Sequence, residues 1–232
     1  MSVFSIFAEL MVDEGGNYYA LKPMGYGAIV AVMLALLLLG SLIGGSVKEA
    51  QSGKQFQMGV KQLVFSAVAL ALAYVTSLIK VIDMPMGGSV TLLSMLFITL
   101  IGYWYGLGTG LMAAIAYGCL QLVTGPYIIS LPQMLADYIL AFGALGLSGL
   151  FAKKKHGMIL GYLVGVTGRF VFTFISGMIF FGSYAADYNM VVPVYSFLYN
   201  GAYLGLEAVL TVAIVAIPPV AGALTRVKRM AV

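Results

Sequence analysis

Between Gly25 and Val47 the sequence GYGAIVAVMLALLLLGSLIGGSV carries no charged side chain. Wound as a helix at about 1.5 Å of rise per residue, such a run is long enough to cross the roughly 30 Å hydrocarbon core of a bilayer. Six further apolar segments follow, roughly Val60 to Ile82, Val90 to Trp104, Leu107 to Val123, Gln133 to Phe151, Met158 to Phe181 and Ser196 to Leu224. In hydrocarbon every backbone N–H and C=O must be satisfied by the protein itself, so only helices and closed barrels can span. A barrel strand would alternate apolar and polar residues over about ten positions, and these unbroken runs do not. With 62% hydrophobic and 9% charged residues, against about a quarter charged in a soluble domain, the chain reads as an all-α integral membrane protein.

The polar linker KEAQSGKQFQMG, Lys48 to Gly59, is the clearest internal boundary. It divides residues 1–59, one extra N-terminal transmembrane helix with its linker, from residues 60–232, a six-helix membrane domain. The first apolar run starts behind Glu9, Asp13 and Glu14 rather than a basic leader, so it is expected to remain in the mature protein. The stretches DMPMGGS, TGPYIISLP, KKKHG and ADYNMVVP separate the later segments with Pro, Gly and charge. The segment from Val90 is short for a crossing and follows a Gly-rich loop, so it is expected to tilt or to begin irregularly. No internal repeat is evident, which argues against an inverted-repeat transporter.

Basic residues orient the chain. Lys48, Lys54 and Lys61, then Lys153 to Lys155, then Arg226, Lys228 and Arg229 fall on one side of seven alternating crossings. That side is cytoplasmic by the positive-inside rule, so the C-terminus is expected inside and the N-terminus outside a cell membrane. The net charge of +4 belongs to this rim facing membrane lipid and does not point to nucleic acid.

Several chemistries are excluded. Cys119 is the single cysteine, so disulfides, zinc pairs and haem attachment are out of reach. His156, the single histidine, follows three lysines at a loop and reads as solvated; no metal set and no cofactor site can be assembled. GLGTG, Gly106 to Gly110, opens a membrane helix without a preceding strand, and no phosphate loop exists. Any ATP must be hydrolysed by a partner. No nucleophile and base pair suggests an intramembrane enzyme, and no catalytic residue is assigned.

Asp137 stands one turn into the segment LPQMLADYILAF. A charge in the outer third of the membrane costs about 2–3 kcal/mol or more unless it is paired or wet. It is either a site residue or an interfacial acid that snorkels to water. The outer helix ends also carry Tyr127, Phe180, Phe181, Tyr184, Tyr195, Tyr199 and Asn200. Aromatic faces with one acid suit a flat cation, although a lipid-facing aromatic belt has the same composition. Asn200 fits a belt poorly and reads better as a group for a polar ligand edge. Arg169 and Glu207 lie within membrane segments, and the favoured reading pairs them as a structural ion pair, the alternative being a proton or ion relay. Ala67 and Ala71, four apart on one helix face, allow close approach of another helix, either a partner's or this chain's own.

The stretches MPMGGSVTLLSM, TGPYIISLPQMLADYILAFGALGLSGLF, GRFVFTFISGMIFFGSYA and VYSFLYNGAYL, in that order and spacing, resemble the thiamine-specific S component of the energy-coupling factor (ECF) transporters. The resemblance covers about Gln62 to the C-terminus and leaves the Gly25 to Val47 helix outside. It implies a six-helix S-component bundle that captures thiamine or a related vitamin on the outer side. The implied partners are a transmembrane coupling subunit and two ATPase subunits. By the same resemblance, Asp137 contacts the aminopyrimidine with Tyr138 beside it, and Tyr117 and Tyr127 line the pocket. Phe181 stacks on the ligand, Tyr195 and Asn200 form the polar aromatic end, and Ala67 and Ala71 face the coupling subunit. Two positions depart from the family pattern: Thr173 stands in place of a histidine, and Phe181 where some members carry tryptophan. The expected function is substrate capture in ATP-driven thiamine import. An ion-coupled secondary transporter using Asp137, Arg169 and Glu207, and a ligand-free membrane scaffold, are the alternatives.

Overall fold

A computed structural model describes residues 4–13, 16–28, 31 and 59–232. The expected helix from Gly25 to Val47 and its linker fall almost wholly outside the described residues; of the helix, one stretch at 23–28 is described. The six later segments are all helical. They are α1 (Val60–Ser77), α2 (Ser94–Tyr105), α3 (Leu107–Gln121), α4 (Leu131–Phe151), α5 (Gly157–Phe180) and, after the short α6 (Gly182–Asp187), α7 (Val192–Ala216). Two antiparallel hairpins join them: β1 (Ala8–Asp13) with β2 (Gly16–Leu21), and β3 (Lys80–Asp83) with β4 (Ser89–Thr91). Neither hairpin was anticipated from hydropathy; β3 and β4 occupy the ends of the apolar segments expected at Val60 to Ile82 and from Val90, so the first helix stops at Ser77 and the second starts only at Ser94.

The segment expected to run from Ser196 to Leu224 divides in two. α7 stops at Ala216 and α8 (Pro218–Ala231) begins two residues later, with Ile217 extended at φ −65°, ψ 121°. Pro218 and Pro219 are the cause: proline removes a helical donor and pushes the preceding residue out of the helical region. α8 carries Arg226, Lys228 and Arg229. Lys228 pins it to the body, donating to the Ala152 carbonyl at 3.0 Å with its ammonium 3.5 Å above the Tyr103 ring. The basic C-terminus and the Lys153–Lys155 loop are thereby held together at one end of the bundle.

α2 spans 12 residues, about 18 Å at helical rise, too short for a full crossing. It starts irregularly, after β4, with Leu93 in the left-handed region at φ 61°. It ends at Gly106, whose φ of +88° turns the chain straight into α3; a side chain is strained there, and glycine is not.

Packing at the centre depends on small residues. Lipid tails give helices no hydrophobic reason to associate, so close backbone approach and van der Waals contact must do it. Gly102, Gly110, Gly146 and Gly149 supply it: a methyl on Gly146 would meet the Leu111 backbone at 2.5 Å, and one on Gly110 would meet Gly102 Cα at 2.7 Å. α4 sits in the middle of this contact and is not a regular helix. It opens with one α turn, widens to a π-helical stretch over Leu135–Leu140, and tightens to 3₁₀ over Ala144–Phe151. Such departures are uncommon at this length and concentrate at functional sites.

Gly146→Ala should therefore lower the unfolding midpoint in detergent by the equivalent of about 1–3 kcal/mol of overpacking. Gly201→Ala, whose methyl would lie 3.8 Å from the nearest neighbour, should be close to neutral. Equal midpoints for the two variants would show that α4 is not locked by glycine contact.

Candidate functional site

Asp137 and Tyr138 lie on the π-helical stretch of α4, where the widened turn changes which side chains face the bundle. They border a cavity of about 240 Å³ at the end of the bundle opposite the Lys153–Lys155 loop. Most of its wall comes from α3, α4, α5, α7, the β3–β4 hairpin and the loop between α3 and α4, with Ser77 of α1 and Ser94 of α2 at the margin. Tyr117, Tyr127, Asp137, Tyr138, Thr173, Phe181, Tyr195 and Asn200 all line it. The eight residues selected from sequence thus meet around one space, although they are spread over four helices and a loop.

Gln133 organises the acidic side. It is 1% exposed, and its amide nitrogen donates to Asp137 Oδ2 at 2.7 Å and to the Tyr127 carbonyl at 3.2 Å. Its amide oxygen accepts from the Ile129 N–H at 3.0 Å. One buried amide therefore holds the loop and the carboxylate together. The Tyr127 N–H donates to the Tyr138 hydroxyl at 2.9 Å, which ties the same loop to the next residue of α4. Gly118 lets α4 approach: a methyl there would collide with the Tyr138 carbonyl. Gln133 was not singled out in the sequence. Its spacing of four from Asp137 in an apolar helix was the available signal.

Aromatic rings form the rest of the wall. Tyr127 and Phe181 are tilted at 32° with centroids 6.2 Å apart, and the hydroxyls of Tyr127 and Tyr184 share a hydrogen bond at 2.6 Å. Along α7 and its approach, Tyr188, Tyr195, Tyr199 and Tyr203 follow one another at 5.5 to 5.8 Å between centroids. Tyr117 is fully buried and packs edge-on against Phe142 at 5.2 Å. Tyr199 also closes the β3–β4 loop over the cavity: its hydroxyl donates to the Pro85 carbonyl and accepts from the Gly88 N–H at 3.0 Å.

Two polar residues are engaged within the bundle. The Asn200 amide nitrogen donates to the Ser196 carbonyl at 3.0 Å and the Thr173 carbonyl at 3.3 Å, and its oxygen accepts from the Tyr203 hydroxyl at 3.0 Å. Asn200 thus crosslinks α5 and α7 as well as lining the cavity. The Thr173 hydroxyl is turned onto its own helix, donating to the carbonyls of Arg169 and Phe170 at 3.2 and 3.1 Å.

The expected Arg169 and Glu207 ion pair does not form. Among the described residues the ion pairs are Lys22 with Glu9 and Lys80 with Asp83. Glu207, 2% exposed, instead accepts from the Thr91 N–H at 3.0 Å, the Thr91 hydroxyl at 2.7 Å and the Met95 N–H at 3.3 Å. These are donors around the start of α2, where the first turn has no carbonyl partners of its own and favours negative charge. A carboxylate with backbone donors needs no cation beside it. Arg169 is released to the cavity wall, its guanidinium carbon 3.9 Å above the Phe142 ring and its Nε without a hydrogen-bond partner. Arg169 reads from the sequence as half of a structural ion pair, which leaves it outside the residues assigned to the site although it opens the stretch GRFVFTFISGMIFFGSYA.

The thiamine transporter protein family (Thia_YuaJ) matches residues 63–225, a span that contains every residue named around the cavity. The chain belongs to this family. It is 33% identical over 165 residues to the thiamine transporter ThiT of Bacillus subtilis (strain 168), covering 65% of this chain and 84% of that protein. Similarity to ThiT of Lacticaseibacillus paracasei is 26% over 186 residues, covering 72% and 89%. The solved structure of ThiT from Listeria monocytogenes superposes with a TM-score of 0.61 at 24% identity, covering 73% of this chain and 96% of that one. It shows the same fold. Residues 1–62, which hold the β1–β2 hairpin and the expected extra helix, precede the match to the thiamine transporter family.

The reassignment of Glu207 has a direct consequence. A double-mutant cycle with Arg169→Met and Glu207→Gln, read by thermal unfolding, should give a coupling below about 0.5 kcal/mol, as for residues that share no partner. Glu207→Ala alone should cost about 1–3 kcal/mol because it orphans buried backbone donors. A coupling of several kcal/mol would restore the ion pair.

Proposed function

We propose that this chain captures thiamine at the outer face of the cell membrane and delivers it as the S component of an ECF-type importer. The observation that carries the reading is the cavity itself. A family of thiamine transporters contributes the body, and within it an acid held by Gln133 stands across from a wall of aromatic rings. Thiamine has two parts that match. Its aminopyrimidine offers N–H donors, and the Asp137 carboxylate, held at Oδ2 by Gln133, borders the cavity as an acceptor for them. Its thiazolium is a flat cation, which Phe181 and the tyrosine ladder can receive through stacking and quadrupole attraction worth about 0.5–2 kcal/mol. Two carboxylates, Asp137 and Glu207, and two cations, Arg169 and Lys80, line the cavity, so attraction for the thiazolium rests on the aromatic faces rather than on an excess of negative charge.

The orientation follows the same logic. The cavity opens at the end opposite the Lys153–Lys155 loop and α8, and that basic end is the one retained in the cytoplasm. The β1–β2 hairpin lies at the cavity end, joined by a backbone bridge between Tyr19 and Ile128, which supports an outer N-terminal region.

The chain has no nucleotide-binding motif, so the energy must come through protein contact. α1 offers the surface. Ala67 and Ala71 are exposed, and around them Val64, Val68, Leu72 and Val75 are each more than two-fifths exposed. This face of small and apolar residues suits the transmembrane coupling subunit, which the two ATPases would drive.

Asp137→Asn should weaken thiamine binding about ten- to hundredfold in a calorimetric titration, the effect of losing a charge-assisted hydrogen bond at constant shape. The unfolding midpoint should stay near that of the parent. Unchanged affinity removes Asp137 from the site. The combined Ala67→Trp and Ala71→Trp variant should bind thiamine as the parent does, yet fail to support uptake in cells holding the ATPase and coupling subunits, because two indoles keep the helices apart. Normal uptake by that variant would move the docking face elsewhere.

A further inference from the structure

The β1–β2 hairpin makes a contact that the family body alone lacks. The Tyr19 N–H donates to the Ile128 carbonyl at 2.5 Å in a single antiparallel bridge to the loop between α3 and α4. Within the hairpin Tyr19 stands opposite Leu10. Along a strand, successive N–H groups point to opposite edges, so a donor spent on Ile128 belongs to the edge that faces away from β1. The hairpin is itself well tied. Lys22 N–H donates to the Phe7 carbonyl at 2.9 Å, the Lys22 ammonium pairs with Glu9 at 3.7 Å, and Ala8 is buried.

What it grips matters more. Ile128 is fully buried, and both of its neighbours are hydrogen-bonded to the cavity wall. Tyr127 binds the Tyr138 hydroxyl through its N–H and the Gln133 amide through its carbonyl, and Ile129 N–H donates to the same Gln133. Gln133 then donates to Asp137. A continuous run of hydrogen bonds therefore leads from the hairpin backbone to the carboxylate, passing through the loop that carries Tyr127.

We infer that the β1–β2 hairpin is a positioning clamp on this loop, added by the chain to the family body, and that it slows release of the bound ligand. The inference rests on the proposed reading of the cavity as a thiamine site. Tyr19 touches no ligand in this scheme. It acts through Ile128, and its effect falls on the rate of leaving, because the loop must loosen for the ligand to escape.

The test uses the full chain and radiolabelled thiamine. Tyr19→Pro removes the N–H at a position that the β1–β2 ladder does not use, and proline is tolerated at such an edge; Tyr19→Ala keeps the N–H. Tyr19→Pro should release thiamine about three- to tenfold faster than Tyr19→Ala, the effect of one net hydrogen bond, with the same association rate, because the two variants lose the same side chain and differ in the N–H. General destabilisation would not separate the two rates in this way. A second variant guards against misfolding of the first. Tyr19→Cys with Ile128→Cys, in a Cys119→Ser background, places thiols on directly opposed residues within disulfide reach. Release should be slower from the oxidised form than from the reduced one. Failure of the disulfide to form, or equal release from both forms together with equal release from Tyr19→Pro and Tyr19→Ala, overturns the clamp. If the parent chain retains no thiamine, the ligand reading falls and the kinetic role with it; disulfide formation needs no ligand and separates that outcome from a failure of docking.

Discussion

Inside a bilayer no water is available to complete a hydrogen bond, and this single constraint organises the protein. Backbone groups and charges drawn into the bundle have to be answered by other groups of the chain or by a ligand. Glu207 answers the exposed donors at the start of α2, Asn200 bridges α5 and α7, and Gln133 joins the α3–α4 loop to α4. The same constraint makes the unanswered groups informative. Arg169 keeps an unpartnered Nε, and the Asp137 carboxylate, held by Gln133, borders the cavity. Both line the cavity that α3, α4, α5 and α7 enclose.

Irregular backbone is what opens that space. A straight bundle of helices packed through Gly102, Gly110 and Gly146 would be dense throughout. α4 is tight where those glycines meet it and wide where it carries Asp137 and Tyr138. The close-packed half gives a rigid floor, and the widened half gives side chains room to converge. Non-helical backbone is tolerated at membrane depth only where protein or a cavity covers it, which is where the β3–β4 loop and the α3–α4 loop sit. Binding and stability thus occupy different halves of one helix.

The N-terminal region adds a third element. The family body is a complete site without it, since every cavity residue lies within 63–225. The hairpin contributes no side chain to the recognition proposed here. Its single backbone bridge reaches a loop whose neighbours hold Gln133 and Tyr138, so an accessory segment can bias the site without altering its chemistry.

How much of this was legible from residues alone depends on the range over which each signal acts. Hydropathy and the placement of lysine and arginine are local properties, and they sufficed for the membrane class and for the six helices of the body. Aromatic and acidic residues at helix ends, with the resemblance they carry, sufficed to select the eight residues that surround the cavity. The partner of Glu207 was misjudged because charge attraction can be read from a list of residues, whereas free backbone donors at the start of a helix cannot. Gln133 was passed over for the same reason: its importance comes from a loop folded back against it. The break at Pro218 was local and readable, yet the apolar run on both sides concealed it. The π-helical turn of α4 had no local signature, and the bridge from Tyr19 to Ile128 joins segments far apart in sequence. Composition and pattern determined what the chain had to bury; only the packed bundle decided which donor met which acceptor, because that choice is made by distance in space.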